Sequence, residues 1–231
     1  MARYHFASGY AAGKKVLDFG CGEGFGSELI SPVAADLFAL DISRKAAKIT
    51  SGKIGKKIVI ADGRETPFKS DYFDLIISFE VFEHITGVER YLTEVHRMLK
   101  ADGLFIMSTP NVETYHLAGM NPYHVREYSV AEVTLLLKEA GFTDQRIFAQ
   151  ITVNKDIARL EKSKLLLSVM KLKRKFGFHG NLLPKPLQRV VHKKISRGDF
   201  RSHAGAWERD CDYSFIEGKI EEPELVYMIK K

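Results

Sequence analysis

Cysteine is almost missing from this chain: Cys21 and Cys211 are the only two in 231 residues. Two cysteines cannot build a disulfide framework, and a reducing, cytoplasmic setting is the simplest expectation. Long apolar runs are missing too. No stretch approaches the roughly 18 residues that a membrane span requires. Met1–Phe6 holds no continuous apolar segment, so no secretory signal is expected. There is neither an internal repeat nor a low-complexity tract. What remains is an ordinary globular balance, 45% hydrophobic and 28% charged, which is enough to bury a core and excludes a wholly disordered chain.

Acidic residues are scarce in one place. The chain carries 35 Lys+Arg against 29 Asp+Glu, a net charge of +6, yet residues 155–201 alone hold 14 basic and 3 acidic residues. The rest of the chain is net acidic. Overall basicity is therefore no evidence that the main body binds nucleic acid. We read 1–231 as a single domain with a basic insert over 155–205, placed between the last two strands.

Short apolar segments alternate with helical patterns. Strands are predicted at 16–19, 34–40, 57–61, 73–79, 104–109, 142–151 and 225–229. Ser43 reads as the N-cap of a helix over 44–50. Val88, Leu92, Val95 and Leu99 share one helical face, with Tyr91 beside them. Ser129 and Glu132 form a capping box for a helix that Gly141 stops. This alternation predicts an α/β, Rossmann-like doubly wound sheet, whose ligands sit at the carboxyl ends of the strands.

The glycine cluster after the first strand lacks one glycine. Asp18-Phe19-Gly20-Cys21-Gly22-Glu23-Gly24-Phe25 reads G-x-G-x-G, and the third glycine of a dinucleotide G-x-G-x-x-G would fall on Phe25. A pyrophosphate wants only amides and a helix N-terminus. An acid in that turn suits a ligand carrying an ammonium group and opposes a phosphate. Asp41 ends the second strand, where a carboxylate can accept from a ribose diol. Asp62-Gly63 ends the third, within reach of an adenine edge. Taken singly, these are also cap, Asx-turn and turn residues. Taken together at three successive strand ends, they favour a nucleoside.

These stretches resemble class I S-adenosylmethionine-dependent methyltransferases of the type 11, ubiquinone O-methyltransferase-like group. The resemblance lies in VLDFGCGEGFGS (16–27), ALDIS (39–43), ADGRETPF (61–68), FDLIISFEVFEHI (73–85), YLTEVHRMLKADGLFIMSTPN (91–111) and NPYHVREYS (121–129). It implies a seven-stranded sheet, parallel except for its last strand, and S-adenosyl-L-methionine as cofactor, with S-adenosyl-L-homocysteine as product. Carried over by position, Gly20, Cys21 and Gly22 line the methionine part, with Asp18 nearby. Asp41 binds the ribose and Ile42 lies against the adenine. Asp62 and Gly63 meet the adenine edge. Ser78 and Phe79 pass the methionine chain, and Arg3 stands where relatives carry an arginine for the carboxylate.

The methyl acceptor is less legible. Methyl transfer from a sulfonium needs alignment and a nucleophile in the right protonation state, and a base helps when the acceptor is a hydroxyl. His84 and His124 are the catalytic candidates; Asn111, Tyr123, Arg126 and Tyr128 are the acceptor-binding candidates. Hydrogen bonding within the loop, and a salt bridge from Arg126 to Glu127 or Glu132, are the plainer readings. Glu80, Glu83 and His84 have the i, i+3, i+4 spacing that can hold a divalent ion, and some ubiquinone-type relatives carry a similar trio, but no metal is predicted. The expectation is O-methylation of a small, anionic or lipid- or sugar-linked acceptor, with peripheral membrane contact compatible with the basic insert. The rivals are an RNA methyltransferase using that insert, a non-catalytic cofactor-binding module, and a nicotinamide oxidoreductase, which the glycine spacing opposes. Few aromatics interleave the basic charge, which disfavours nucleic acid. Oligomeric state is left open.

Overall fold

A computed structural model of the chain describes residues 1–114, 123–152, 213–219 and 224–231. Apart from Thr152, Tyr213 and Ser214, all of these belong to one unit. The expected insert at 155–205 lies outside the described residues, as do Asn121 and Pro122.

The chain opens with helix α1 (Ala2–Ala11) and strand β1 (Lys15–Phe19), then runs α2 (Phe25–Ile30), β2 (Asp36–Asp41), α3 (Arg44–Ile54), β3 (Ile58–Ile60) and β4 (Phe73–Phe79). A single 3₁₀ turn, Phe82–His84, precedes α4 (Val88–Met98), β5 (Leu99–Pro110), α5 (Val130–Glu139), β6 (Asp144–Thr152), β7 (Tyr213–Glu217) and β8 (Glu224–Lys230). The strands lie in the order β3-β2-β1-β4-β5-β8-β6-β7. β1 to β5 pair in parallel, while β8 runs antiparallel to both β5 and β6. The seven expected strands are thus present with the last one reversed. An eighth, β7, borders β6 and stands in sequence between the insert and β8.

Burial explains the pattern. β4 is FDLIISF, apolar on both faces because helices cover both. One core cluster joins Leu17, Phe19 and Phe105 to Tyr91, Leu92 and Val95 of α4 and Val133 and Leu137 of α5. The other joins Val16, Leu75, Ile77 and Ile106 to Ala7 and Ala11 of α1 and Ile30 of α2. Alternate residues of one strand therefore feed opposite layers. The caps form as expected: Ser43 accepts from the Ala46 N–H, and Ser129 and Glu132 complete the capping box. One boundary differs. Leu99 leaves the α4 face and opens β5, and Asp102-Gly103 falls at a register shift inside that strand.

Candidate active site

The carboxyl end of β1 turns through Gly20–Gly24 into α2. Gly20 and Gly22 both hold left-handed backbone, φ +75° and +53°, which glycine adopts freely. At Gly20 a Cβ would stand 2.4 Å from Val81 Cγ2, so the loop presses on the segment that follows β4. At Gly22 a Cβ would meet nothing within 4 Å. This is a cradle that any side chain would fill, and it fits a ligand running over bare backbone. Gly20 and Cys21 donate to the Leu40 carbonyl, and Gly22 N–H donates to Asp41 Oδ2 at 2.8 Å. Asp41 Oδ1 accepts from Ser43 N–H at 2.8 Å. One carboxylate thus ties the glycine loop to the start of α3, and its remaining lone pairs suit a diol. Ile42 beside it is 71% exposed, an apolar face open to a base. The Cys21 thiol is buried, and burial together with Asp18 and Asp41 pushes it up to about 12.

Asp18 lies behind the loop and is fully buried. It accepts from Ser27 Oγ at 2.5 Å and from the Tyr4 hydroxyl at 2.9 Å. Burial nevertheless raises its carboxyl to about 6. Tyr4 comes from α1, stands edge-on to Phe79 at 4.9 Å and fills a notch at Gly26, where a Cβ would collide with its ring. One turn of α1 also sets Arg3 Nη2 3.6 Å from Glu80 Oε1. Glu80 adopts φ +56° at the end of β4 and accepts from Ser108 Oγ. Arg3, expected at this site, is joined there by Tyr4 and Ser27, which no spacing in the sequence ties to Asp18.

Asp62 is gripped by Arg64, whose Nε and Nη2 reach one oxygen each at 3.0 and 2.6 Å. The guanidinium and the Arg64 N–H hold this carboxyl down at about 2, so it is an anion at any working pH. Arg64 was not among the expected residues. Gly63 lies against Phe19, whose ring a Cβ would contact at 2.8 Å. Ser78 is buried and accepts from the Tyr91 hydroxyl at 2.9 Å. Phe79 closes the strand end.

Beyond β4, the 3₁₀ turn carries Glu83 and His84. Glu83 is 1% exposed; its Oε2 accepts from Thr109 Oγ1 at 3.0 Å. Burial first, and the Glu80 charge second, raise its carboxyl above the ordinary range. Its carbonyl accepts from Val125 and Arg126 N–H, which straps the 123–128 segment onto the turn. The two expected histidines meet: His84 and His124 stand edge-to-face with ring centroids 4.9 Å apart. His84 Nδ1 lies 2.8 Å from the Tyr123 carbonyl, and His124 Nδ1 lies 3.0 Å from Glu127 Oε1.

The four acceptor candidates separate. Tyr123 is 80% exposed beside the histidines. Arg126 is committed to an ion pair with Glu132 and lies over the Tyr128 ring. Tyr128 is buried edge-on against Phe82, and Asn111 is buried, bridged to Tyr128 and accepting from Glu113 N–H. These last two brace the loop.

Residues 17–107 match the family model described as a methyltransferase domain. A probable S-adenosylmethionine-dependent methyltransferase of Mycobacterium tuberculosis is 36% identical over 135 residues, 57% of this chain and 49% of that protein. A ubiquinone biosynthesis O-methyltransferase of Rhizobium etli is 33% identical over 104 residues, 43% of this chain and 42% of its own length. The chain spans about half the length of these curated relatives. The solved structure of a methyltransferase from Archaeoglobus fulgidus shares the fold, with a TM-score of 0.63 at 18% identity over 99% of this chain and 92% of that one. Residues 17–107 thus match a methyltransferase domain, and the chain shares its fold with solved S-adenosylmethionine-dependent methyltransferases.

Proposed function

We propose that this protein transfers a methyl group from S-adenosylmethionine to an oxygen of a small acceptor presented by the 123–128 segment. The observation that carries the reading is the open backbone at Gly22, tied by one hydrogen bond to Asp41 at the next strand end. Bound there, the cofactor supplies a methyl group on a good leaving group. Gly20 and Gly22 let the methionine portion approach the main chain. Asp41 would accept from the ribose hydroxyls, and Ile42 would cover the adenine. Ionised Asp18 would favour the ammonium end, with Tyr4 and Ser27 holding it in place.

On the acceptor side, the Tyr123 carbonyl can only accept, so His84 carries its proton on Nδ1 and keeps the Nε2 lone pair. That tautomer can take the proton of an acceptor hydroxyl as the carbon–oxygen bond forms. The exposed Tyr123 and Val125 offer apolar surface to the acceptor, and the net charge of residues 155–201 favours one that is anionic. The test is transfer of a tritiated methyl group from S-adenosylmethionine into a cell extract, fractionated into lipid, small-molecule, RNA and protein pools. Label in the lipid or small-molecule pool is the expected result. Label in RNA alone would overturn the acceptor assignment, and no label in any pool would favour a binding module.

A further inference from the structure

The spacing of Glu80, Glu83 and His84 suggests one candidate trio of ligands; the fold assembles another. Glu83, His84 and His124 each offer one ligand atom, and these atoms lie within 4.8 Å of one another. Glu80 turns away to Arg3 and Ser108. Two observations beyond proximity point to an ion. The first is Glu83 Oε1, a buried carboxylate oxygen with no hydrogen-bond partner among the described residues, 4.0 Å from His124 Nε2. An unpaired buried acceptor costs about 1–3 kcal/mol, more when charged, and a cation would remove that cost. The second is that each ligand is oriented by its other polar atom. Glu83 Oε2 is held by Thr109, His84 Nδ1 by the Tyr123 carbonyl and His124 Nδ1 by Glu127. Metal-bound histidines are held in this way, by a carbonyl or carboxylate on the far nitrogen.

We propose that Glu83, His84 and His124 bind one divalent transition-metal cation of the zinc class, leaving a coordination position open. Two imidazoles and one carboxylate are the donor set such ions take at catalytic sites, and hard ions such as magnesium prefer all-oxygen sites. The ion's use in the reaction rests on the methyl-transfer reading; its binding does not. With the ion in place, an acceptor hydroxyl occupying the open position would have its acidity raised by the cation. With the ion bound, the His84 lone pair would serve as a ligand in place of its role as base; the hydroxyl would lose its proton to solvent, its oxygen would bond to the methyl carbon, and the carbon–sulfur bond would break to release S-adenosylhomocysteine.

The experiment strips the 231-residue chain with a chelator and titrates it with Zn²⁺ and Co²⁺ by calorimetry and visible absorption. S-adenosylhomocysteine binding is measured in parallel. One equivalent should bind, with a cobalt spectrum of mixed nitrogen and oxygen ligands. His84→Ala and His124→Ala should each weaken it by more than tenfold, and Glu127→Gln by about tenfold, the usual effect of a supporting residue. On the unaltered protein, zinc should protect His84 and His124 from diethyl pyrocarbonate, a readout that survives if a variant fails to fold. Binding of no single equivalent, or binding that neither shields these histidines nor responds to their substitution, would overturn the proposal. Loss of S-adenosylhomocysteine binding with zinc binding retained would instead remove the methyl-transfer reading and leave the ion site standing.

Discussion

Replacing Gly22 with alanine separates folding from cofactor binding, because the two penalties at that position have different origins. The backbone there sits at φ +53°, so an L side chain costs about 1–2 kcal/mol of strain. No atom lies within 4 Å of the new Cβ, so no clash adds to it. For a chain of this size, that strain should lower Tm by roughly 2–8 °C. In the proposed complex, however, the same methyl group occupies the path of the methionine portion. Overpacking of a fitted site costs typically 1–3 kcal/mol, so S-adenosylhomocysteine should bind roughly tenfold to a hundredfold more weakly. Gly20→Ala is the contrast. Its Cβ would meet Val81 Cγ2 at 2.4 Å, so strain and clash both fall on the folded protein itself, and stability should drop by about 2–5 kcal/mol. Calorimetric titration and thermal melts of the two variants measure both quantities. If Gly22→Ala bound S-adenosylhomocysteine within twofold of the parent, the cofactor would not cross this backbone and the site would be misassigned.

Asp41→Asn should weaken S-adenosylhomocysteine binding about tenfold or more, since charge-assisted hydrogen bonds to a diol contribute roughly 1.5–3 kcal/mol; the variant's affinity for a deoxyribose analogue should fall much less. Asp18 gives a pH signature in stability. Its folded carboxyl titrates near 6 against an ordinary value of 3.8, so the folded state holds the proton more tightly than the unfolded one. That contribution is complete below the unfolded value and is lost as pH rises through about 6, on the order of 3 kcal/mol. Urea melts of cofactor-free protein between pH 4 and about 6.5 should show this decline, and Asp18→Asn should flatten it. Tyr4→Phe keeps the ring packing but removes a bond to Asp18, so it should cost about 1 kcal/mol and steepen that decline; an unchanged profile would show that the hydroxyl does not support the carboxylate. With its thiol pushed up to about 12, Cys21 should resist iodoacetamide in the folded protein at pH 8, as peptide mass spectrometry would show.

What the chain reveals before folding depends on how far apart the cooperating residues lie. Ser43 caps α3 through a bond to Ala46, and the Ser129–Glu132 box closes over three residues, so local chemistry alone made both visible. The apolar run of β4 announced a strand covered on both faces. Asp41 was legible as the polar end of a strand, and its bonds to the Gly22 and Ser43 N–H groups join that end to the glycine loop and to α3. The same locality hid the rest. Helix α1 carries only a weak apolar stripe, and what fixes it is Tyr4 reaching Asp18 and Phe79, residues that sequence spacing does not connect. β7 follows a long interval after β6, and its tie to the sheet includes the Arg146–Glu217 ion pair across that gap. The clearest case is the acceptor side. Periodicity grouped Glu80 with Glu83 and His84 on one imagined helical turn. The chain instead forms a 3₁₀ turn there and holds Glu80 at a positive φ. This sends Glu80 toward Arg3 and leaves Glu83 to receive His124 from a segment 41 residues further on. A single backbone torsion thus decides which carboxylate faces the two imidazoles, and no side-chain pattern along the sequence records it.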